Sequence, residues 1–139
     1  MPGLQAIAVG FDGSADSEVA LAWAAGLAHR EGGRLVVVHA VGLLEHAGMS
    51  HHVAAHQETA VRIAGEAGMD PDDVVWSPVD GDPCSALLRT IGQPPVVDLV
   101  VVGSRGAGAH GGSVLGSTSL ELTERSPVPV VIVPTGAHR

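Results

Sequence analysis

The stretch Gly103 to Ser119, GSRGAGAHGGSVLGSTS, gathers most of the usable chemistry of this 139-residue chain: six glycines in seventeen residues, ending in the triplet Ser117-Thr118-Ser119. Glycine carries no Cβ, so successive backbone N–H groups can turn toward one anion without steric cost. The triplet opens a predicted helix, and Thr118 with Glu121 matches a capping box. The first amides of a helix have no partner within it and carry partial positive charge, which suits a phosphate. Arg105 and His110 add the only cationic potential nearby. The chemistry implied is anion binding by backbone amides.

Three phosphate motifs can be compared with this stretch. A Walker loop needs a lysine, and all seven cationic side chains of the chain are arginines. Gly106, Gly108 and Gly111 fit GxGxxG, yet that fingerprint requires a later strand ending in an acid that holds the ribose, and here the only later strand ends at Val133-Pro134-Thr135. Asp16-Ser17 after Gly13 echoes the SGGxDS pyrophosphate loop, but Asp12 and Ser14 stand where that motif fixes other residues.

The elements that must position this loop follow from patterning. Ala6–Phe11 is a short apolar run ending at the turn Asp12-Gly13-Ser14 and predicts a first strand. A helix is predicted from about Ser14 to Glu31, on the stripe Val19, Trp23 and Leu27 with Ala20, Ala24 and Ala28 beside it. Ser14 or Asp16 would cap its start, and Gly32-Gly33 would end it. Arg34–Ala40 predicts a second strand, continuous rather than alternating in its apolar residues, as expected for one covered on both faces. Gly42–Ser50 has no clear pattern; His51–Ala67 predicts a helix and Asp73–Val79 a third strand. Asp82 caps a short helix with Pro83 in its first turn, running to about Ile91. Asp98–Gly103 predicts a fourth strand, Gly116–Arg125 a fourth helix, and Val128–Val133 a last strand whose Pro129 suits an edge. Five strands alternating with four helices specify a single α/β domain over residues 1–139: a five-stranded parallel sheet with helices on both faces, a Rossmann-like three-layer sandwich. Ligands of such sheets bind beyond the carboxyl ends of the strands where the winding reverses, and Asp12, Ala40 and Gly103 stand at strand ends.

Composition narrows the function. The formal charge of −8 and scattered arginines exclude a nucleic-acid partner, which needs a basic stripe to displace counterions. Lysine and tyrosine are absent, which removes Schiff-base chemistry and phenolic acid catalysis. No apolar run approaches the length of a membrane span, and Met1 to Gln5 lacks the features of an export signal, so a cytoplasmic protein without membrane contact is expected. The single cysteine, Cys84, fits a reducing compartment and reads as a small packed residue.

The spacing Gly103-x2-Gly106-x9-Gly116-Ser117 resembles the pattern by which the ATP-binding branch of the universal stress protein family is recognised. The resemblance extends along the chain. Val9-Gly10-Phe11-Asp12-Gly13-Ser14 is similar to the family's first strand and its acidic end, and Leu35–Ala40 to its second strand. Gly81-Asp82-Pro83 is similar to its third strand–helix turn, and Pro127–Val133 to its closing strand. What the resemblance implies is ATP, ADP or AMP as ligand, with Mg²⁺. Asp12 would hydrogen-bond the adenosine and Ala40 would contact adenine through its backbone. Gly103, Gly106 and Gly116 would shape the loop, and Ser117 and Thr118 would reach the phosphates. With their neighbours Gly10, Phe11, Val38, Ser104, Arg105 and Ser119, these make the expected site. The resemblance also implies a homodimer through Val128–Val133.

Several residues keep a second reading. Asp12 can instead serve an Asx turn at Ser14, and Arg105 is either a phosphate partner or a solvated loop charge. His52 and His56 stand one helical turn apart, but without a third ligand at a suitable spacing they read as a solvated helix face; no metal site is expected. No family residue maps onto the segment holding His46, His51, His52 and His56. Gly10 and Phe11 differ from relatives in ways that can reshape the adenine pocket. With no base poised to activate water, the expected function is a stress-response or signalling module that binds adenine nucleotide, with at most slow incidental ATP hydrolysis. The alternatives are a dimeric scaffold without nucleotide and a pyrophosphatase-type ATP enzyme.

Overall fold

A computed structural model describes residues 3–41, 50–104 and 116–135, with the side chains of residues 50–52 left aside. The strands are β1 (Ala6–Gly10), β2 (Arg34–Val41), β3 (Val74–Asp80), β4 (Leu99–Gly103) and β5 (Val130–Val133). The helices are α1 (Ala15–Glu31), α2 (Ser50–Glu66), α3 (Pro83–Ile91) and α4 (Ser117–Arg125), with a 3₁₀ turn at Pro71–Asp73. All strand pairs are parallel, in the order β3-β2-β1-β4-β5. The expected α/β sandwich is the fold observed.

The apolar strands are explained by the two layers they feed. On one face Ile7, Val9, Leu35, Val37 and Val101 pack with Leu21, Ala24 and Ala28 of α1 and Ala60, Ile63 and Ala64 of α2. On the other, Ala6, Ala8, Val36, Val38, Val100 and Val102 pack with Cys84, Ala86 and Leu87 of α3 and Leu122 of α4. Alternate residues of each strand therefore face opposite cores, and a polar residue on either side would meet a helix. Cys84 is the packed residue expected, 1% exposed, and burial pushes its thiol up. Asp82 caps α3 by accepting from the Ser85 amide at 3.1 Å, and that bond holds its carboxyl below the usual range.

Two helical expectations need correction. In α1 the buried face is Ser17, Ala20, Leu21, Ala24, Ala25 and Ala28, whereas Trp23 is 40% exposed and Val19 is exposed with it. Ala20, Ala24 and Ala28 pack as expected and Leu27 is partly buried against the core, whereas Val19 and Trp23 lie one position, about 100°, from the face that packs. A helix lying over β1 and β4 can come close only through small side chains, so alanine takes the inner face. The capping box also fails. α4 begins at Ser117 with Gly116 as its N-cap and no side-chain cap bond, while Glu121 pairs with Arg125 at 2.6 Å one turn on. At the opposite end of α1, Ser14 is the cap, accepting from the Ser17 amide, and Gly32 closes the helix at φ 70° as glycine allows.

The last strand starts at Val130, two residues later than predicted; Val128 is held in a turn by the Ser126 hydroxyl. The Pro129 carbonyl accepts from Val100, so proline lies just outside an edge strand, where its missing donor costs nothing.

The end of β4 is fitted tightly to α1. A Cβ on Gly103 would stand 2.8 Å from the Asp16 carbonyl oxygen and 3.0 Å from the Asp16 Cβ. Because the obstruction is backbone, Gly103→Ala is expected to lower stability by about 1–3 kcal/mol, the usual range for overpacking. Urea unfolding followed by far-UV circular dichroism measures it, and a midpoint equal to wild type would show that the two elements can separate without cost.

Candidate functional site

The sheet reverses its winding between β1 and β4. From β1 the chain crosses to β2 and β3 on one side, then returns to β4 and β5 on the other. Crossovers leave the adjacent tips of β1 and β4 in opposite directions, so a crevice opens between them. Its walls are the residues following Gly10 and the residues around Gly103.

On the β1 side, Phe11 continues the ladder by donating its amide to the Val38 carbonyl at 2.9 Å. Asp12 then turns the chain: its Oδ1 accepts from the Ser14 amide at 2.9 Å, and its own amide donates to Ser17 Oγ at 3.3 Å. This is the Asx turn considered from sequence. A carboxylate has roughly four acceptor sites, and the Ser14 amide occupies one of those on Asp12. Gly13 follows at φ 83°, a left-handed conformation that favours glycine. Ser17 is buried, and its hydroxyl both donates to the Ser14 carbonyl and accepts from Asp12. In the pyrophosphatase reading this serine would belong to the reactive loop; here it is spent holding the turn.

On the β4 side, Ser104 donates its amide to the Val133 carbonyl at 3.2 Å, and its own carbonyl accepts from Gly116 at 2.7 Å. Ser119 Oγ donates to the Gly103 carbonyl at 2.8 Å. These bonds bring the start of α4 back to the point where β4 ends. Ser104 and Gly116 are thus held together beside the opening turn of α4. Leu122, fully buried, anchors that helix to the sheet; burying one leucine is worth about 1.5–3 kcal/mol. The first turn of α4, headed by glycine without a side-chain cap, keeps amide donors that an anion can satisfy.

The expected site residues fall into three groups. Gly10, Asp12, Gly103, Ser104, Gly116, Ser117 and Thr118 lie at the two strand tips or the start of α4, and Ala40 lies near the end of β2. Phe11, Val38 and Ser119 are buried, Phe11 being 3% exposed, so they shape the site from behind. Arg105, Gly106, Gly108, His110 and Gly111 lie outside the described residues, as does His46, and nothing of the His51 and His52 side chains is described.

One group of side chains was missed. His39 is 3% exposed, and its Nδ1 lies 2.9 Å from the Phe11 carbonyl oxygen. Its ring stacks on Trp76 at 5.4 Å between centroids and an angle of 24°. His56 brings Nδ1 to 3.4 Å from His39 Nε2 and sets its ring edge-on to Phe11. The expectation of a solvated face at His56 is therefore wrong: the ring is half-buried against the β1 tip. A signal existed in the sequence, since a histidine inside RLVVVHA must find a buried partner. Among the described residues, no three metal-ligating side chains converge.

With this geometry in view, comparison with known proteins places the chain. The model of the "Universal stress protein family" matches residues 3–134. A Thermus aquaticus universal stress protein, from the QAH/OAS sulfhydrylase 3′ region, is 33% identical over 136 residues, covering 91% of this chain and 96% of that protein. Universal stress protein Rv2005c of Mycobacterium tuberculosis is 37% identical over 134 residues, covering 91% of this chain but 44% of its own length, so the chain spans less than half of that relative. A crystal structure of a universal stress protein in complex with cAMP superposes with a TM-score of 0.78 at 30% identity, covering 96% of this chain and 99% of the other. The chain belongs to the universal stress protein family.

Proposed function

We propose that this chain binds an adenine nucleotide in the crevice between β1 and β4 and acts as a binding module in stress response or signalling. The observation that carries the reading is the meeting of Asp12, the Gly103–Ser104 tip and the uncapped start of α4 at the one place where the sheet reverses. The carboxylate suits a ribose, and the helix amides suit a phosphate. The similar protein solved with cAMP supports an adenine ligand. ATP with Mg²⁺ is the form we favour, because the Gly103-x2-Gly106-x9-Gly116-Ser117 spacing resembles the pattern of the ATP-binding branch. At net charge −8 the protein repels a polyphosphate at long range, and bound Mg²⁺ together with the local amides would offset this. By the same resemblance Gly103, Gly106 and Gly116 would shape the cradle. Turnover is slow in this reading, since Ser17 is committed to the backbone and no lysine is present to assist phosphoryl transfer.

Titration with ATP·Mg²⁺ in a thermal unfolding assay tests the reading. At a hundredfold excess over the dissociation constant the fold gains about 2.7 kcal/mol, which raises the midpoint by several degrees. Gly116→Asp separates binding from folding. Aspartate is a good N-cap, so stability should hold or rise by a few tenths of a kcal/mol, while its charge displaces the phosphate and abolishes the ATP-dependent shift. An unmoved wild-type midpoint at millimolar ATP would favour a scaffold that does not use nucleotide.

We also propose that β5 pairs across a two-fold axis to give a homodimer. It is an edge strand whose Val130, Val131 and Ile132 are half-buried, and such an edge invites cover. Light scattering is expected to return twice the chain mass, and Ile132→Pro is expected to return the chain mass alone; a wild-type monomer at high micromolar concentration would contradict the pairing.

A further inference from the structure

Two imidazoles, the buried His39 and the half-buried His56, lie behind the residue that the nucleotide reading uses most. Phe11, Asp12 and Gly13 form the tip of β1, and each flanking residue of Asp12 is met by a histidine. On the Phe11 side, a carbonyl oxygen only accepts, so His39 Nδ1, 2.9 Å away, carries the proton and donates. In the neutral ring His39 Nε2 is then an acceptor, and the hydrogen bond to His56 is donated by His56 Nδ1 across 3.4 Å. On the Gly13 side, a Cβ would stand 2.6 Å from His56 Nε2 and 3.0 Å from its Cδ2, so the His56 ring rests against the glycine. Trp76 of β3 stacks on His39, and the rings of Phe11 and His56 meet at right angles. The chain of contacts runs from α2 through His56 and His39 to the Phe11 carbonyl.

We propose that His39 and His56 are positioning residues for nucleotide binding: together they tie α2 to the β1 tip and fix the backbone on both sides of Asp12, so that its carboxylate is held ready for the ligand. The inference rests on the nucleotide reading of the crevice. Neither ring is assigned a contact with the ligand. Their work is done on the peptide units that flank the acid. Gly13 is then glycine for two reasons, its positive φ and the ring against it. α2 lies outside the crevice in sequence and on the sheet, yet through this pair its placement sets the site, so a contact made on α2 would reach the nucleotide.

The test compares wild type with His56→Ala, His39→Leu and the mimics His39→Asn and His56→Asn. Two quantities are read: ATP·Mg²⁺ affinity by calorimetry, and amide hydrogen exchange of Asp12, Gly13 and Ser14 without nucleotide. An asparagine amide places an N–H near the position of imidazole Nδ1. His56→Ala and His39→Leu are expected to weaken ATP binding by about tenfold and to speed exchange at the tip by a similar factor, the scale set by one lost hydrogen bond. The mimics are expected to recover affinity to within about threefold of wild type. Recovery is the outcome that loss of packing alone would not give. His56 is half-buried on a helix, so its alanine variant keeps the test open if His39→Leu fails to fold. Wild-type affinity in His56→Ala, or unchanged exchange at the tip, would overturn the proposal. Should wild type bind no ATP, the nucleotide reading fails and the proposed role with it, while the exchange data still report whether the imidazoles hold the turn.

Discussion

The parallel pairing of β1 with β4 is the constraint from which the rest of the architecture follows. Ile7, Ala8 and Val9 lie in register with Leu99, Val100 and Val101 at the centre of the sheet, with both faces covered. Because these neighbours are far apart in sequence, the chain must wind away from β1 in one direction and come back to β4 from the other. Two strand tips then stand side by side with no crossover between them. The crevice is a consequence of topology before any side chain is considered, and the residues at its walls supply the chemistry.

Those walls are held by short polar contacts rather than by bulk. Asp12, Ser14 and Ser17 close one turn on themselves, and Ser104, Gly116 and Ser119 pin the other to the start of α4. Glycine is used where backbone must approach backbone, as where Gly103 meets Asp16. A bound anion would meet amides set in place by these contacts, so little ordering would remain to be done on binding. The same economy explains the alanine face of α1, which lets the helix lie near both strand tips.

The strand and helix order was legible in the sequence because Leu35–Val38 and Leu99–Val102 are unbroken apolar runs, and because Asp82-Pro83 and Gly32 mark helix ends with residues of unambiguous geometry. The family pattern was legible for a related reason: Gly103, its first glycine, is required by the close approach of the Asp16 backbone, and such requirements show as spacing. What sequence could not resolve was which of two adjacent stripes on α1 faces inward, since volume pointed to Trp23 and close approach demanded Ala24. Nor could spacing reveal that His56 would reach across to His39. That contact joins residues 17 positions apart on different elements, and only the packing of α2 on the sheet creates it. The capping box at Thr118 failed because local sequence allows a cap that the bonds of Ser119 and Gly116 to the β4 tip supersede.

The proposed nucleotide site is tested most directly by the residues that respond to added nucleotide. Amide ¹H–¹⁵N spectra of uniformly labelled protein, recorded as ATP·Mg²⁺ is added, report this residue by residue. The account predicts shifts concentrated at Gly10–Ser14, Gly103–Ser104 and Gly116–Ser119, with β3 and the exposed face of α1 little changed. Spectra that do not respond at millimolar nucleotide, or shifts that gather away from the two strand tips, would contradict it.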